Sequence, residues 1–566
     1  MRILQMHADW IEYEPVRKEI SQAEEVEKKK HRLEEVLVLF ISVEDHDSEK
    51  IAGEAIGEVK EFLKNVKVNR ILIYPFAHLS RNLAKPADAL KIIKEMEAQA
   101  KKLKIEVHRA PFGWNKALAI KVKAHPLAEQ SKVFGVSEKA GGKEAKVEIK
   151  AVREVKNPMS LIKRSDFAGL SEKDHRIIGE QLDLFSFQEV APGMVYFHPK
   201  GLILLNILID FWRKEHQKRG YQEISSPVLL NNAVWKVSGH MDHYRENMFF
   251  SEIEGQGFAL KPMNCANAIL VFKSKSRSYR DLPLRINEMG LVHRNELSGV
   301  LSGLFRLRAF VQDDAHIFVD EKNIEKEIIS IIDMIKYFYG VFGFEYSLEL
   351  SGMPEKAMGD EKIWRKAEAI LEKVLKEAKL EYKRNPGEGA FYGPKIDFHI
   401  KDSIGRKWQL ATVQVDLFMP ERFEAKYIGD DGKNHVPIII HRVIYGALER
   451  FVGILVEHYE GKFPVWLAPV QVRVLSISDD NVKYGRKVLH ALQESEIRVE
   501  GDFESHKIEY KIREAQLQKI PHMIIVGKKE EEIGAIAIRD RDGNVKYKVK
   551  LEDFISQIKK EVEEKK

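Results

Sequence analysis

The chain has 566 residues, 44% hydrophobic and 32% charged, with a net charge of +5 and one cysteine. Length allows about three or four domains at ~150 residues each, and a lone thiol excludes an intrachain disulfide framework and suits a reducing compartment. The mild basic balance excludes a nucleic-acid coat but permits an RNA partner. No apolar run reaches the ~20 residues of a membrane helix, and the first residues show no apolar secretion segment, so the expectation is a cytoplasmic chain without a membrane partner.

Along the chain, "VLVLFISV" (36–43) and "NRILIYPFAH" (69–78) are apolar runs of strand length, the second stopped by Pro75. A charged amphipathic helix pattern spans 79–104, and "ALAIKVKAH" (117–125) alternates like a half-exposed strand. Residues 1–140 therefore read as a compact α/β unit. The charged, glycine-paired stretch that follows reads as a linker over 141–166. A large mixed region runs over 167–462. The last unit, 463–566, shows strand, helix (484–494), strand, helix (509–519), "HMIIVG" and a hairpin turned by "RDGN". The Lys/Glu runs "VEKKKHRLEEV" and "KKEVEEKK" are most simply solvated helix faces.

The most informative stretch is "LVHRNELSGVLSGLFRLRAFVQDDAHIFV" (291–319), two strands joined by a loop. Side chains alternate between strand faces. One face then carries Arg306, Arg308, Phe310, Gln312, Asp314 and His316. The other carries Leu307, Ala309, Val311, Ala315 and Ile317, with Asp313 as the exception. Guanidiniums suit phosphate and carboxylate, and an aromatic suits a base. The plainer reading is the polar outer face of a hairpin with incidental ion pairs. Cys265, in "LKPMNCANAI", has two readings as well: a small buried core residue or a metal ligand.

The stretch 291–319 resembles motif 2 of class II aminoacyl-tRNA synthetases, in their threonyl branch. "RGYQEISSPVLL" (219–230) is similar to motif 1, and "IIIHRVIYGALERF" (438–451) to motif 3. "VSGHMDHYRENMFF", "LKPMNCANAI" and "AFYGPKIDFHI" extend the likeness, which covers about 167 to the end. The first unit resembles the archaeal editing domain of the same enzymes, itself similar to D-aminoacyl-tRNA deacylases. The implied fold is multidomain α+β. It has an N-terminal deacylase-like α/β editing domain, a class II antiparallel-sheet catalytic core and a C-terminal α/β anticodon-binding domain.

The resemblance implies threonine activation with ATP, transfer to tRNA(Thr), and a homodimer with Pro227 near its interface. It implies one zinc per subunit on Cys265, His316 and His441, with the fourth position open to the amine and hydroxyl of threonine. Gln312, Asp314, Tyr392 and Gln414 would line the amino-acid pocket. Gln409 and Gln414 fall on opposite faces of an ideal strand, which a bulge would reconcile. Arg294 would bridge carboxylate and α-phosphate, Glu296 would sit at the adenine end, Arg306 would reach the outer phosphates, and Phe310 and Arg450 would sandwich the adenine. Magnesium would accompany ATP. Gly446 and Arg450 would share a helix face. His240 matches a histidine implicated in the transfer step, where an imidazole titrating near neutrality suits proton acceptance.

Serine also carries amine and hydroxyl, and a methyl supplies only ~1–3 kcal/mol of discrimination. A hydrolytic second site is therefore expected, with His78, Lys116 and Glu129 matching the family's editing pocket and Asn115 departing from its aromatic. Lys519, Glu530 and Arg539 match or replace residues that read anticodon bases. Rival readings are a catalytically silent RNA-binding paralogue, a synthetase for serine or proline, and a chiefly hydrolytic enzyme. The retained Arg294 and Arg450 speak against the first, the Cys/His/His set against the second, and the ATP-site motifs against the third.

Overall fold

The computed structural model describes residues 1–20, 23–45, 47–66, 68–80, 83–123, 128–134, 167, 169–355, 357–401 and 405–566. The expected linker, 141–166, lies outside them. The chain divides into two compact units, Met1–Val152 and Arg153–Lys566. Among the described residues no helix is long and apolar enough to cross a membrane.

The first unit is a mixed sheet of β1 (Arg2–Lys18), β2 (His31–Ser42), β3 (Arg70–Pro75), β4 (Glu106–Arg109), β5 (Trp114–Val122) and β6 (Glu129–Val133), in the order β4-β3-β2-β1-β5, with β6 also on β1. Helices α1 (Glu49–Val66) and α2 (Pro86–Lys102) cover one face, against Leu37, Leu39, Ile71 and Ile73. Val36, Val38, Phe40, Leu72 and Tyr74 fill the other face. Burial on both faces explains why β2 reads as a continuous apolar run. The Lys/Glu stretch around residue 30 is not a helix. Residues 23–30 have no regular structure, and from His31 the chain pairs with β1, Leu33 opposite Ile11 and Glu34 opposite Trp10. Cross-strand pairing outweighs the local helix preference of Lys and Glu.

The second unit holds an eight-stranded sheet made of β7 (Gln222–Glu223), β8 (Leu284–His293), β9 (Ala309–Val319), β10 (Tyr346–Ser351), β11 (Tyr382–Asn385), β12 (Lys395–Lys401), β13 (Lys407–Asp416) and β14 (Ile438–Val443). Its order is β11-β10-β12-β13-β14-β9-β8-β7, antiparallel except at its two ends. Helices α4 (Pro199–Lys218), α6 (Ile324–Phe342) and α8 (Leu448–His458) bury one face, with Phe211, Trp212, Ile335, Phe338 and Phe451 against Ala315, Ile317, Val413 and Ile440. Each fully buried large apolar side chain contributes about 1.5–3 kcal/mol, so this face fixes the sheet and leaves the other free for chemistry. Shorter helices flank it: α3 (His175–Gln181), α5 (Cys265–Lys273) and α7 (Glu361–Glu377).

The C-terminal part is a second sheet of β15 (Val472–Ser476), β16 (Val499–Asp502), β17 (His522–Val526), β18 (Ile536–Asp540) and β19 (Val545–Val549), ordered β16-β15-β17-β18-β19. Helices α9 (Val482–Glu494) and α12 (Leu551–Glu563) pack on one face, and α10 (Ile508–Leu517) on the other. Helix α11 (Lys528–Ile533) follows β17 and has no counterpart in the sequence reading.

Candidate functional site

The open face of the large sheet bounds a cavity of about 410 Å³. Strand alternation sends Phe310, Gln312, Asp314 and His316 of β9 into it, as expected, while Arg306 and Arg308 precede the strand. His316 stands opposite His441 of β14, and His441 opposite Gln414 of β13. Cys265 opens α5 from a separate segment. The ligand atoms of Cys265, His316 and His441 all lie within 4.8 Å of one another, and all three residues are buried. Their rings and thiol fit a metal. His441 Nε2 donates to Asp416 Oδ2 at 2.9 Å, while its buried Nδ1 has no hydrogen-bond partner. Burial opposes the His441 imidazolium, but the Cys265 sulfur and Asp416 outweigh it and hold the ring up to about 10. A proton held there is what a divalent ion displaces. His316 is pushed well below the ordinary range by burial and by its cationic neighbours, which leaves the neutral form that coordinates metal.

A second acidic and imidazole cluster, Asp174, His175 and Glu457, is equally close. Its donors are spent. His175 Nδ1 lies 2.8 Å from Glu457 Oε1, and Nε2 accepts from Leu304 N at 3.0 Å. Asp174 caps α3 and holds Arg176, and Glu457 also takes Arg406. The cluster pins the loop before β9 rather than holding an ion.

Beside the triad, Asp314 accepts from Asn264 Nδ2 at 2.6 Å, and Tyr392 donates to Gln414 Oε1 at 2.6 Å. Gly290 makes the first contact possible, since a Cβ there would meet the Asn264 amide at 2.3 Å. Gln409 and Gln414 both reach the cavity because the β12–β13 register shifts at 410–411. That is the irregularity their spacing requires.

On the other side stand the cations. Arg294 lies 5.1 Å over the Phe310 ring and donates to Gln312 Oε1 at 3.4 Å. Arg450 donates to Phe305 O at 2.9 Å and stacks 5.5 Å over Trp408. Burial, then Arg294 and Arg306, push the Arg450 guanidinium down to about 10. Converging like charges of this kind suit a polyanionic ligand. Glu296 pairs with Arg306 at 3.0 Å, outside the cavity wall. Gly446 does not share a helix face with Arg450. It precedes α8 at φ +75°, where a Cβ would meet Leu410 O at 2.9 Å.

His240 is buried behind the wall, against Tyr244 and Phe391, with Nδ1 on Ser238 Oγ at 2.8 Å and Nε2 unpartnered. Burial, then Arg294, His243 and His441, push it down to about 3, far from the near-neutral titration expected of it.

In the first unit a cavity of about 430 Å³ is lined by Tyr74, Phe76, Leu83, Trp114, Asn115 and Lys116, among others. Lys116 Nζ donates to Pro111 O at 3.0 Å and Trp114 O at 3.1 Å, and lies 4.7 Å over Tyr74. Burial pushes its ammonium down to about 8. Asn115 bonds Glu19 at the rim. The backbone of His78 lies in a short turn over Ala77–Leu79, and its side chain is outside the described set. Glu129 does not join Lys116. It opposes Met6 on β1 whereas Lys116 opposes Pro15, a separation of about 30 Å at ~3.3 Å per residue. In the C-terminal sheet, β17 separates Glu530 from Lys519, which instead lines a small cavity with Leu182, Lys200 and Gly461. Arg539 opposes Met523, with its Nε unpartnered.

Asn264, Asp416 and Asp313 were not singled out from sequence as functional. They act through residues distant in the chain, and no local spacing marks them.

The comparisons agree with this architecture. A family model described as the archaea-specific editing domain of threonyl-tRNA synthetase matches residues 1–134. The class II core domain of the G, H, P, S and T synthetases matches 249–459, and an anticodon-binding domain matches 471–561. A threonine-tRNA ligase of Caldanaerobacter subterraneus subsp. tengcongensis is 60% identical over 391 residues, 69% of this chain and 61% of that relative's length. The chain thus spans less than two thirds of that curated relative. The solved RNA-binding domain of threonyl-tRNA synthetase from Cryptosporidium parvum Iowa II is 40% identical, with TM-score 0.66, covering 68% of this chain and 98% of that one. A prolyl-tRNA synthetase from the same organism, solved with L-proline and AMP, is 16% identical at TM-score 0.53, over 69% of this chain and 75% of that one, and shares the fold. With an editing-domain match, a class II core and an anticodon-binding domain in that order, the chain belongs to the threonyl-tRNA synthetase family.

Proposed function

We propose that the chain activates L-threonine with ATP, transfers it to tRNA(Thr), and hydrolyses seryl-tRNA made in error. The observation that carries this reading is one cavity in which Cys265, His316 and His441 converge beside Asp314 and Gln312, with Arg294 and Arg450 on the far side. A threonine carboxylate oxygen attacks the α-phosphorus of ATP, the bond to the bridging oxygen breaks, and pyrophosphate leaves with magnesium. Arg294 and Arg450 stabilise the charge that develops. The terminal ribose hydroxyl of the tRNA then attacks the carbonyl carbon, and AMP leaves with the bonding pair. The hydroxyl proton goes to a phosphate oxygen of the departing AMP, because His240, buried behind the cavity wall and pushed down to about 3, is too weak a base to take it.

Cys265, His316 and His441 would hold zinc, which when bound supplies a Lewis-acid position for the amine and β-hydroxyl of the substrate. Asp314, fixed by Asn264, accepts from that hydroxyl. Valine lacks the hydroxyl and leaves buried polar groups unpaired, which costs far more than a missing methyl. Serine keeps the hydroxyl, so correction falls to the first unit, with Lys116 at its cavity. Arg539 and Glu530 would read anticodon bases, and two copies would pair near Pro227.

The test is threonine-, serine- and valine-dependent pyrophosphate exchange, before and after metal chelation and after zinc is returned. Exchange with threonine and serine but not valine, lost on chelation and restored by zinc, is expected. Exchange with valine at the threonine rate, or indifference to chelation, contradicts the reading.

A further inference from the structure

Asp313 is the exception on the apolar side of β9, and it is fully buried. We infer that Asp313 is a positioning residue: from the face of the sheet opposite the substrates, it docks the turn before α8 and so sets where Arg450 stands. The inference rests on the reading of the cavity as the ATP site.

The carboxylate is fully engaged. Its Oδ2 accepts from Trp212 Nε1 at 3.1 Å, Ile444 N at 2.9 Å and Tyr445 N at 3.1 Å. Its Oδ1 accepts from Gly446 N at 2.9 Å. Three consecutive backbone N–H groups form a concave anion site, and the anion is a side chain of the neighbouring strand. The reason lies in the sheet. β14 pairs with β9 only from Ala315 to Val319. Beyond that point the turn takes the neighbour's place. Asp313 N donates to Gly446 O at 3.4 Å, Gln312 bridges Ala447, and Val311 N donates to the Glu449 carboxylate at 3.0 Å.

The network extends further along α4. His216 Nδ1 donates to Trp212 O at 2.6 Å, so Nε2 is free to accept from Arg442, whose Nη1 also donates to Asp313 O at 3.5 Å. Burial and Arg442 keep His216 neutral, in agreement with that tautomer. α4, β9 and the turn into α8 therefore meet at one carboxylate. Arg450 comes three residues after Ala447, and its guanidinium is aimed by Phe305 O and Gln409 O. Of the groups that face threonine, Cys265 stands on α5, while Asp314 and His316 stand on β9 itself, whose register is held on its other side by pairing with β8 from Ala309 to Phe318. Displacing the turn should disturb ATP and spare threonine.

The experiment is steady-state pyrophosphate exchange by the full-length zinc-loaded protein carrying Asp313→Asn or Gly446→Ala. Asparagine keeps the shape but turns an N–H₂ toward backbone N–H groups. Alanine at Gly446 moves the same turn without removing a buried charge. Both should lower kcat about 100-fold, the effect of a ~1 Å misplacement, and raise the KM for ATP while the KM for threonine stays within about twofold. If Asp313→Asn does not fold, Gly446→Ala decides. Wild-type kinetics in the folded variants, or a threonine KM that rises as much as that for ATP, would overturn the inference. A wild-type protein with no threonine-dependent exchange would instead overturn the functional reading beneath it.

Discussion

At the scale of single residues, specificity hangs on side chains that touch other side chains. Asp314 is raised by burial, with the Asn264 amide pulling the other way. A hydrogen bond to a charged group is worth about 1.5–3 kcal/mol. Asn264→Ala should therefore raise the KM for threonine by roughly ten-fold or more, with little effect on the KM for ATP, read by pyrophosphate exchange. An unchanged threonine KM would remove Asn264 from the pocket. This residue also marks the limit of the sequence. The row Phe310, Gln312, Asp314 and His316 was legible because strand alternation is local. The Asn264 contact depends on an amide 50 residues away and on Gly290 leaving space for it. Resemblance, not spacing, brought Cys265 and His441 together, since each lies on a separate element. Glu129 shows the opposite failure. A motif match carries no register, and pairing with β1 places it away from Lys116.

At the scale of elements, apolar periodicity carried most of the fold. β2, β3 and β5 of the first unit and the helices near 484–494 and 509–519 fall where their patterns put them, whereas β1, β4 and β6 have no counterpart in those patterns. The stretch before β2 misled because Lys and Glu favour helices only while no strand competes for the backbone. The β13 shift at 410–411 was required by two glutamines but could not be located from them. Helix α6 is the support of the large sheet, and Phe338 on it is fully buried against Phe211 and Tyr445. Phe338→Ala should cost about 3–5 kcal/mol. Thermal inactivation of pyrophosphate exchange would then come at a clearly lower temperature, while deacylation in the other unit survives to its usual one. Joint loss of both activities would contradict that independence.

At the scale of the molecule, two chemistries are assigned to two compact units, and pH separates them. Lys116 is pushed down to about 8 by burial, against the pull of Glu24. The folded state therefore binds fewer protons than the unfolded chain between about 8 and the ordinary lysine range, and this group's contribution to stability rises with pH across that window. If the neutral amine takes part in hydrolysis, seryl-tRNA deacylation should rise through pH ~8, and Lys116→Met should abolish the rise while leaving threonine-dependent exchange intact. A deacylation profile with no inflection near 8 in the wild type would retire Lys116 from that role. The central claim remains the metal that reads threonine, and zinc K-edge absorption of the purified protein addresses it most directly. The account predicts one zinc per chain with one sulfur at about 2.3 Å and two nitrogens at about 2.0–2.1 Å, and a light-atom shell that changes when threonine is added. A shell without sulfur, or a protein that discriminates against valine while holding no zinc, would contradict it.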